Sequence, residues 1–208
     1  MSTIPVETRL GLPEEMRQDA ARLYYEAFSR KLHPILGKRE ACLDILSQSL
    51  DMTRAIIAVC DHTLIGLVGI QHGQQPFLKF QKQTFTRRYG KIFGLVWYRV
   101  MLEWYREYTE GELLLDGFAV DAEQRSLGIG TLLLEAVIQF AREHGYQTVR
   151  LDVVDTNPHA RRLYEWMGFK ATQEHHYPYL RGILGIGGET TMIRTVCKKP
   201  QSAGKEGV

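Results

Sequence analysis

Glu112-Leu-Leu-Leu-Asp-Gly-Phe-Ala-Val-Asp121, followed after two residues by Gln124-Arg-Ser-Leu-Gly-Ile-Gly-Thr131, reads as an apolar strand, a short polar loop and the start of a helix. The loop ends in Arg125-x-x-Gly128-x-Gly130. A helix start leaves backbone N–H groups unpaired and carries partial positive charge, so it holds phosphate well. Glycines at 128 and 130 remove the Cβ atoms that would keep a pyrophosphate from those N–H groups. Arg125 adds a charge-assisted contact to the same anion. The helix expected over 128–144 carries Ile129, Leu132, Leu133, Ala136, Val137, Phe140 and Ala141 on one stripe, the spacing of an amphipathic helix with a single buried face.

Downstream, a strand expected at 147–154 leads into Asn157-Pro-His-Ala160-Arg-Arg-Leu163-Tyr164-Glu-Trp-Met-Gly168-Phe169. Asn157 is placed as a helix N-cap with Pro158 at the first helical position. Ala160, Leu163, Tyr164 and Met167 share one face, and Gly168 supplies a stop. Together the two motifs resemble the GCN5-related N-acetyltransferase (GNAT) superfamily, in a bacterial-type member. The resemblance is close over 112–177 and loose over 53–73.

That resemblance implies an α/β (α+β) fold. Its mixed, mostly antiparallel central sheet has six to seven strands flanked by helices, splayed between the strands at 112–120 and 147–154. It implies acetyl-coenzyme A as donor and transfer to a primary amine by direct attack in a ternary complex. The pantetheine arm then lies along Phe118, Ala119 and Val120. The pyrophosphate lies on Gln124, Arg125, Ser126, Leu127, Gly128, Ile129, Gly130 and Thr131, and Asn157 and Ala160 also contact the cofactor. Tyr164 matches the family tyrosine near the coenzyme sulfur, a general acid; read on its own, it is a core aromatic on a helix face.

A lysine-like amine has a pKa near 10.4, so only about one in a thousand is neutral at pH 7 and a proton must be removed. Three routes stay open. Asp116 lies mid-strand among leucines, where an acid is either hydrogen-bonded or raised in pKa. Asp152 aligns with the acid that N-terminal protein acetyltransferases use through water. A water chain needs no single acid. Asp155 reads as a solvated strand-end acid. His176 and Tyr177 are candidates for lining the acceptor pocket. His175 and His176 point oppositely on a strand, so no metal site is expected.

The remaining chain reads as an ordinary globular protein, with 44% apolar and 24% charged residues among 208. One domain is expected over 1–197, with a flexible tail at 198–208. Helices are expected at 13–29 and 38–50, a hairpin of 54–60 and 63–71 turning at Asp61-His62, and strands at 169–176 and 190–196. Arg181 to Gly188 reads as a mobile hairpin loop. A net charge of +2 is too small to name nucleic acid or an anionic membrane as principal partner. No run approaches the ~20 apolar residues of a membrane span. The N-terminus has no signal-peptide pattern, and Cys42, Cys60 and Cys197 suggest neither disulfides nor zinc. A cytoplasmic protein is expected.

The stretch 74–111 has no family counterpart. Residues 77–108 hold 10 of the 21 aromatic residues. Trp97, Val100, Met101, Trp104, Tyr105 and Tyr108 follow helical spacing, so the segment reads as a packing element, an acceptor-pocket wall or lid, or a homodimer contact. Single-stranded nucleic acid binding, the other reading of basic residues among aromatics, is the least favoured. The competing function is a catalytically silent acyl-coenzyme A sensor or interaction module. A dinucleotide-binding oxidoreductase is excluded because the third glycine position is Leu133 and the loop before Gly128 is too long.

Overall fold

The computed structural model describes residues 5–102, 105–177 and 181–196. The expectations placed on Trp104, Cys197 and the tail at 198–208 lie outside these residues. The chain runs through β1 (Glu7–Leu10), α1 (Arg17–Leu36), α2 (Arg39–Ser49), β2 (Ala55–Cys60), β3 (Thr63–Gln71), α3 (Lys82–Tyr89) and α4 (Lys91–Leu102). It continues through β4 (Glu112–Val120), α5 (Ile129–Glu143), β5 (Thr148–Val154), α6 (Pro158–Trp166), β6 (Lys170–His176), α7 (Arg181–Leu184) and β7 (Gly188–Thr195). The strands form one seven-stranded sheet in the order β1-β2-β3-β4-β5-β7-β6. All neighbours are antiparallel except β4 and β5.

Two layers of helix cover the sheet. α5 and α6 bury Leu133, Val137, Ala141 and Tyr164 against Ile56, Val68, Leu113, Leu151 and Met192. On the opposite face α1 to α4 bury Tyr24, Leu32, Ile45, Phe85 and Met101 against Ile57, Leu67 and Ala119. The β2–β3 hairpin turns on Asp61 (φ 45°) and His62 (φ 59°); two left-handed residues match the twist of paired strands.

A bulge in β4 decides which side chains meet α6. The β3 register steps from Val68↔Phe118 to Ile70↔Leu115, so Asp116 and Gly117 together oppose Gly69. An extra residue inverts the alternation of faces beyond it. Leu113 and Leu115 before the bulge, and Phe118 and Val120 after it, therefore all meet the α5 core. Only glycine suits position 117: its φ is 111°, and a Cβ there would lie 2.5 Å from the Tyr24 ring.

Several boundaries differ from the sequence reading. β1 was not foreseen; its four residues are all exposed, and only pairing to β2 defines it. α1 extends past the expected end at 29 to Leu36 because Leu32 and Leu36 continue its buried stripe. On α5, Leu132 is 38% exposed, and Leu134 and Ile138 are buried in its place. The aromatic segment is two helices, not one. Gly90 (φ 79°) ends α3, Tyr105 lies past α4 and Tyr108 is exposed. The expected loop at 181–188 contains the four-residue helix α7.

Candidate active site

β4 and β5 pair only over Glu112↔Thr148, Leu113↔Val149 and Leu114↔Arg150. Beyond Arg150, β5 goes on pairing with β7 to Val154↔Glu189, while β4 keeps β3 as its partner up to Val120. The sheet thus opens into a cleft whose walls are residues 115–120 and 151–154. The edge of β4 at Phe118, Ala119 and Val120, without a strand partner there, can hydrogen-bond an extended ligand as a further strand would.

At the end of β4, Asp121 accepts from Glu123 N at 2.9 Å and closes a single 3-10 turn, Ala122–Gln124. Arg125 Nε donates to Val120 O at 3.3 Å, and Ser126 adopts φ 66°. α5 has no side-chain N-cap. Its first helical backbone bond is from Leu132 N to Gly128 O at 3.1 Å, so the N–H groups of Ile129, Gly130 and Thr131 precede that ladder and face outward. The two glycines work differently. A Cβ on Gly128 (φ 82°) would meet nothing within 4 Å, so this position opens to space. A Cβ on Gly130 would lie 3.0 Å from Leu163 and 3.6 Å from Phe118, so this glycine sets how closely α5 approaches α6 and β4.

Asn157 caps α6, its Oδ1 accepting from Ala160 N at 3.1 Å. Tyr164, about two turns further on, is 5% exposed. Its ring meets Phe118 edge-on at 6.1 Å and Phe169 at 6.0 Å. Burial pushes its phenol well above the ordinary tyrosine range. Phe118 thus brings the open strand and the α6 tyrosine together.

The two acids take different positions. Asp116 Oδ2 accepts from Phe77 N at 3.1 Å and Leu78 N at 3.5 Å, tying the chain before α3 to the β4 bulge. Burial raises its pKa, against the lowering effect of those two bonds and of Arg106. Asp152 lies across the cleft, on the face of β5 away from α5. Its Oδ2 accepts from Arg106 Nε at 2.9 Å and its Oδ1 from Thr191 Oγ1 at 2.6 Å. Arg106 Nη2 also donates to Glu189 at 2.6 Å, and Tyr177 OH to the same carboxylate at 3.4 Å. Lys31 of α1 faces this group: burial lowers its pKa, Glu189 and Asp152 oppose that, and Arg106 adds to it.

Arg106, Glu189, Thr191 and Lys31 were not singled out by the sequence reading. The signal for Glu189 is its place two residues before Thr191 on β7, opposite Val154, which becomes meaningful only once β5 and β7 are known to pair. Arg106 was hidden among aromatics. His176 is exposed, and Tyr177 reaches the acid cluster. Asp155 accepts from Gly187 N at 3.1 Å and holds the turn into β7, a bond that the solvated reading did not include. Among the described residues no group of three or more His, Cys, Asp or Glu side chains is placed to hold a metal ion.

Residues 14–169 match the sequence profile described as "Acetyltransferase (GNAT) family". The "Probable N-acetyltransferase camello" of Xenopus tropicalis is 35% identical over 91 residues, 44% of this chain and 39% of that protein. The spermine/spermidine N(1)-acetyltransferase of Bacillus subtilis (strain 168) is 28% identical over 106 residues, 50% of this chain and 64% of that protein. The matched part is thus less than two thirds of either relative's length. An N-acetyltransferase structure from Staphylococcus aureus Mu50 superposes with a TM-score of 0.65 at 18% identity, covering 90% of this chain and all of that one. At that identity the likeness is one of fold.

Proposed function

Because the chain belongs to the acetyltransferase (GNAT) family, we propose that it transfers the acetyl group of acetyl-coenzyme A to a primary amine by direct attack in a ternary complex. The observation that carries this reading is the early end of β4–β5 pairing at Leu114↔Arg150. It leaves an open strand edge whose Phe118 touches Tyr164, with unpaired helix N–H groups at one end. An extended thioester substrate with a pyrophosphate fits that shape.

In this reading the backbone of Phe118, Ala119 and Val120 holds the pantetheine arm, and Gln124 to Thr131 hold the pyrophosphate. Gly128 leaves the anion room, and the N–H groups of Ile129, Gly130 and Thr131 point at it. A backbone N–H at the end of β4 stabilises the developing oxyanion. Tyr164, held protonated by burial, donates its proton or a strong hydrogen bond to the departing thiolate. Asn157 fixes the start of α6 and thereby the position of Tyr164, with Ala160 packed behind.

Asp152 is the better base. It sits on the acceptor side, oriented by Arg106 and Thr191, and takes the amine proton directly or through water. Asp116 is committed to Phe77 and Leu78, and in this reading it positions structure. With Glu189, Asp152 makes an anionic pair, which suits an acceptor that arrives as an ammonium ion. Arg106 offsets one of the two negative charges, and Lys31 faces the same group. Tyr177 lines the site beside Glu189, with His176 at its rim. The polyamine named in the Bacillus relative has the matching chemistry, so polyamines and other basic amines are the first acceptors to test.

The test is a thermal titration with acetyl-coenzyme A, with NADH and ATP as controls, followed by an amine screen read by thiol release. Coenzyme at a hundred times its dissociation constant adds about 2.7 kcal/mol of stability, a rise of several degrees at this size. A coenzyme-specific rise with thiol release on a basic amine supports the proposal. A rise with no release on any amine supports the sensor reading. No rise at all removes the cofactor assignment.

A further inference from the structure

α4 is apolar on both faces. Its inward side, Gly94, Trp97, Tyr98 and Met101, packs on α3 and the α1–α2 core. Gly94 allows the contact, since a Cβ there would lie 2.5 Å from Phe85 O. The outward side carries Ile92 at 77%, Phe93 at 69%, Val96 at 52% and Leu95 at 41% exposure. A helix apolar all round is normally buried all round, and a contiguous apolar patch rimmed by polar residues marks an interaction surface.

The rim identifies the partner. Between Asp61 and Glu103 the sequence has no acidic residue and six basic ones. Lys79 pairs with Asp51. Lys82, Arg87, Arg88, Lys91 and Arg99 are exposed and make no ion pair among the described residues. The overall charge of +2 conceals this segregation. Exposed aliphatic and aromatic side chains within a cationic rim are the pattern of a helix lying in the plane of an anionic lipid surface.

Two other occupants fit less well. A symmetric contact with a second copy would bring the same cations face to face. Nucleic acid needs flat side chains for its bases, and of the four exposed apolar residues only Phe93 is aromatic. No helix among the described residues is long and apolar enough to cross a membrane, so the contact is peripheral. We propose that the outer face of α4, with the cations of α3, docks the protein on an anionic bilayer. This revises the expectation drawn from net charge and does not depend on the acetyl-transfer reading.

The test is sedimentation of the full chain with vesicles of phosphatidylcholine alone or of an equimolar mixture with phosphatidylserine, alongside light scattering. Three proteins are compared: the wild type, the pair Arg87→Glu with Arg88→Glu, and the pair Ile92→Ser with Phe93→Ser. All four positions are exposed, and an unchanged melting temperature verifies folding. The proposal requires binding only to the phosphatidylserine vesicles, weakening with added salt and falling about tenfold or more in each double variant. It is overturned by absence of binding, by equal binding to both vesicles, or by wild-type binding in the serine variant. It is equally overturned if the protein ignores vesicles and forms a dimer that the serine variant disperses.

Discussion

Arg106 Nε donates to the Asp152 carboxylate at 2.9 Å, across 46 positions of sequence, while its Nη2 reaches Glu189 at 2.6 Å. One guanidinium thus straps the segment after α4 to β5 and β7. The two carboxylates are largely buried, at 17% and 9% side-chain exposure, and Arg106 is 37% exposed. Arg106→Ala should therefore leave two neighbouring acids without their shared cation. After discounting for that exposure, a loss of about 1–3 kcal/mol follows, with a melting temperature lower by roughly 2–10 °C. A melt within a degree of wild type would show that the pairing contributes nothing.

Asp152→Asn separates base work from positioning. As a base, Asp152 contributes about 10²–10⁴ in kcat near neutral pH. That loss should shrink as pH approaches the acceptor's own pKa, where free amine is already present. A pH–rate profile checks this. A deficit that stays constant up to the amine pKa would leave Asp152 only a positioning role beside Thr191.

Tyr164→Phe should lower kcat and leave the KM for acetyl-coenzyme A nearly unchanged, because the phenol serves the leaving thiolate and its ring packing on Phe118 survives. Burial raises the phenol well above its ordinary value. The sign follows: as a proton donor, Tyr164 stays competent past pH 10, so the wild-type rate should show no alkaline limb from this group up to that pH. An alkaline limb that disappears in Tyr164→Phe would mean that the side chain titrates earlier.

Gly128→Glu places bulk and negative charge where a Cβ has open space. The variant should fold, with a cost of about 1–2 kcal/mol for a side chain in the left-handed region. It should lose the thermal shift with acetyl-coenzyme A. Gly128→Asn, which tolerates that backbone, is the folding control. An undiminished shift in the glutamate variant would remove the phosphate-loop assignment.

The legible parts of the fold were those whose signal is local. The Arg125-x-x-Gly128-x-Gly130 loop, the Asn157 cap and the Asp61-His62 turn are each set by a few adjacent residues, and each lies where the sequence placed it. The β4 bulge was not legible, because it rests on Tyr24 from α1 lying against Gly117. The acid cluster was half legible: Asp152 stood out on its strand, but its partners Arg106, Glu189 and Thr191 come from distant segments. The gap between α3 and α4 was not legible because the helical spacing in the sequence begins at Trp97, beyond Gly90, and carries no signal for the separate helix before it.

The segment 77–79 is held by two carboxylates with opposite pH behaviour. Asp51 accepts from Lys79 Nζ at 2.7 Å, Thr53 Oγ1 at 2.7 Å and Arg54 Nε at 3.1 Å. Burial alone would raise its pKa, but the bonds from Lys79 and Thr53 override that and hold it at about 2. A pKa depressed below the unfolded value of ~3.9 gives stability that is full above that value and is lost as pH falls toward 2; here it is about 2 kcal/mol. Asp51→Asn should remove that amount at neutral pH and flatten the acid limb of the melting curve between pH 4 and 2, as read from melts across that range. Asp116 has the opposite sign, since burial raises its pKa, so its ionised form opposes folding above the unfolded pKa. Asn at 116 still offers an oxygen to Phe77 N and Leu78 N without the charge. Asp116→Asn should therefore melt at or above wild type at neutral pH, converge with it in acid, and keep its activity. Loss of activity in a variant that stable would return Asp116 to the chemistry and displace Asp152 as the base.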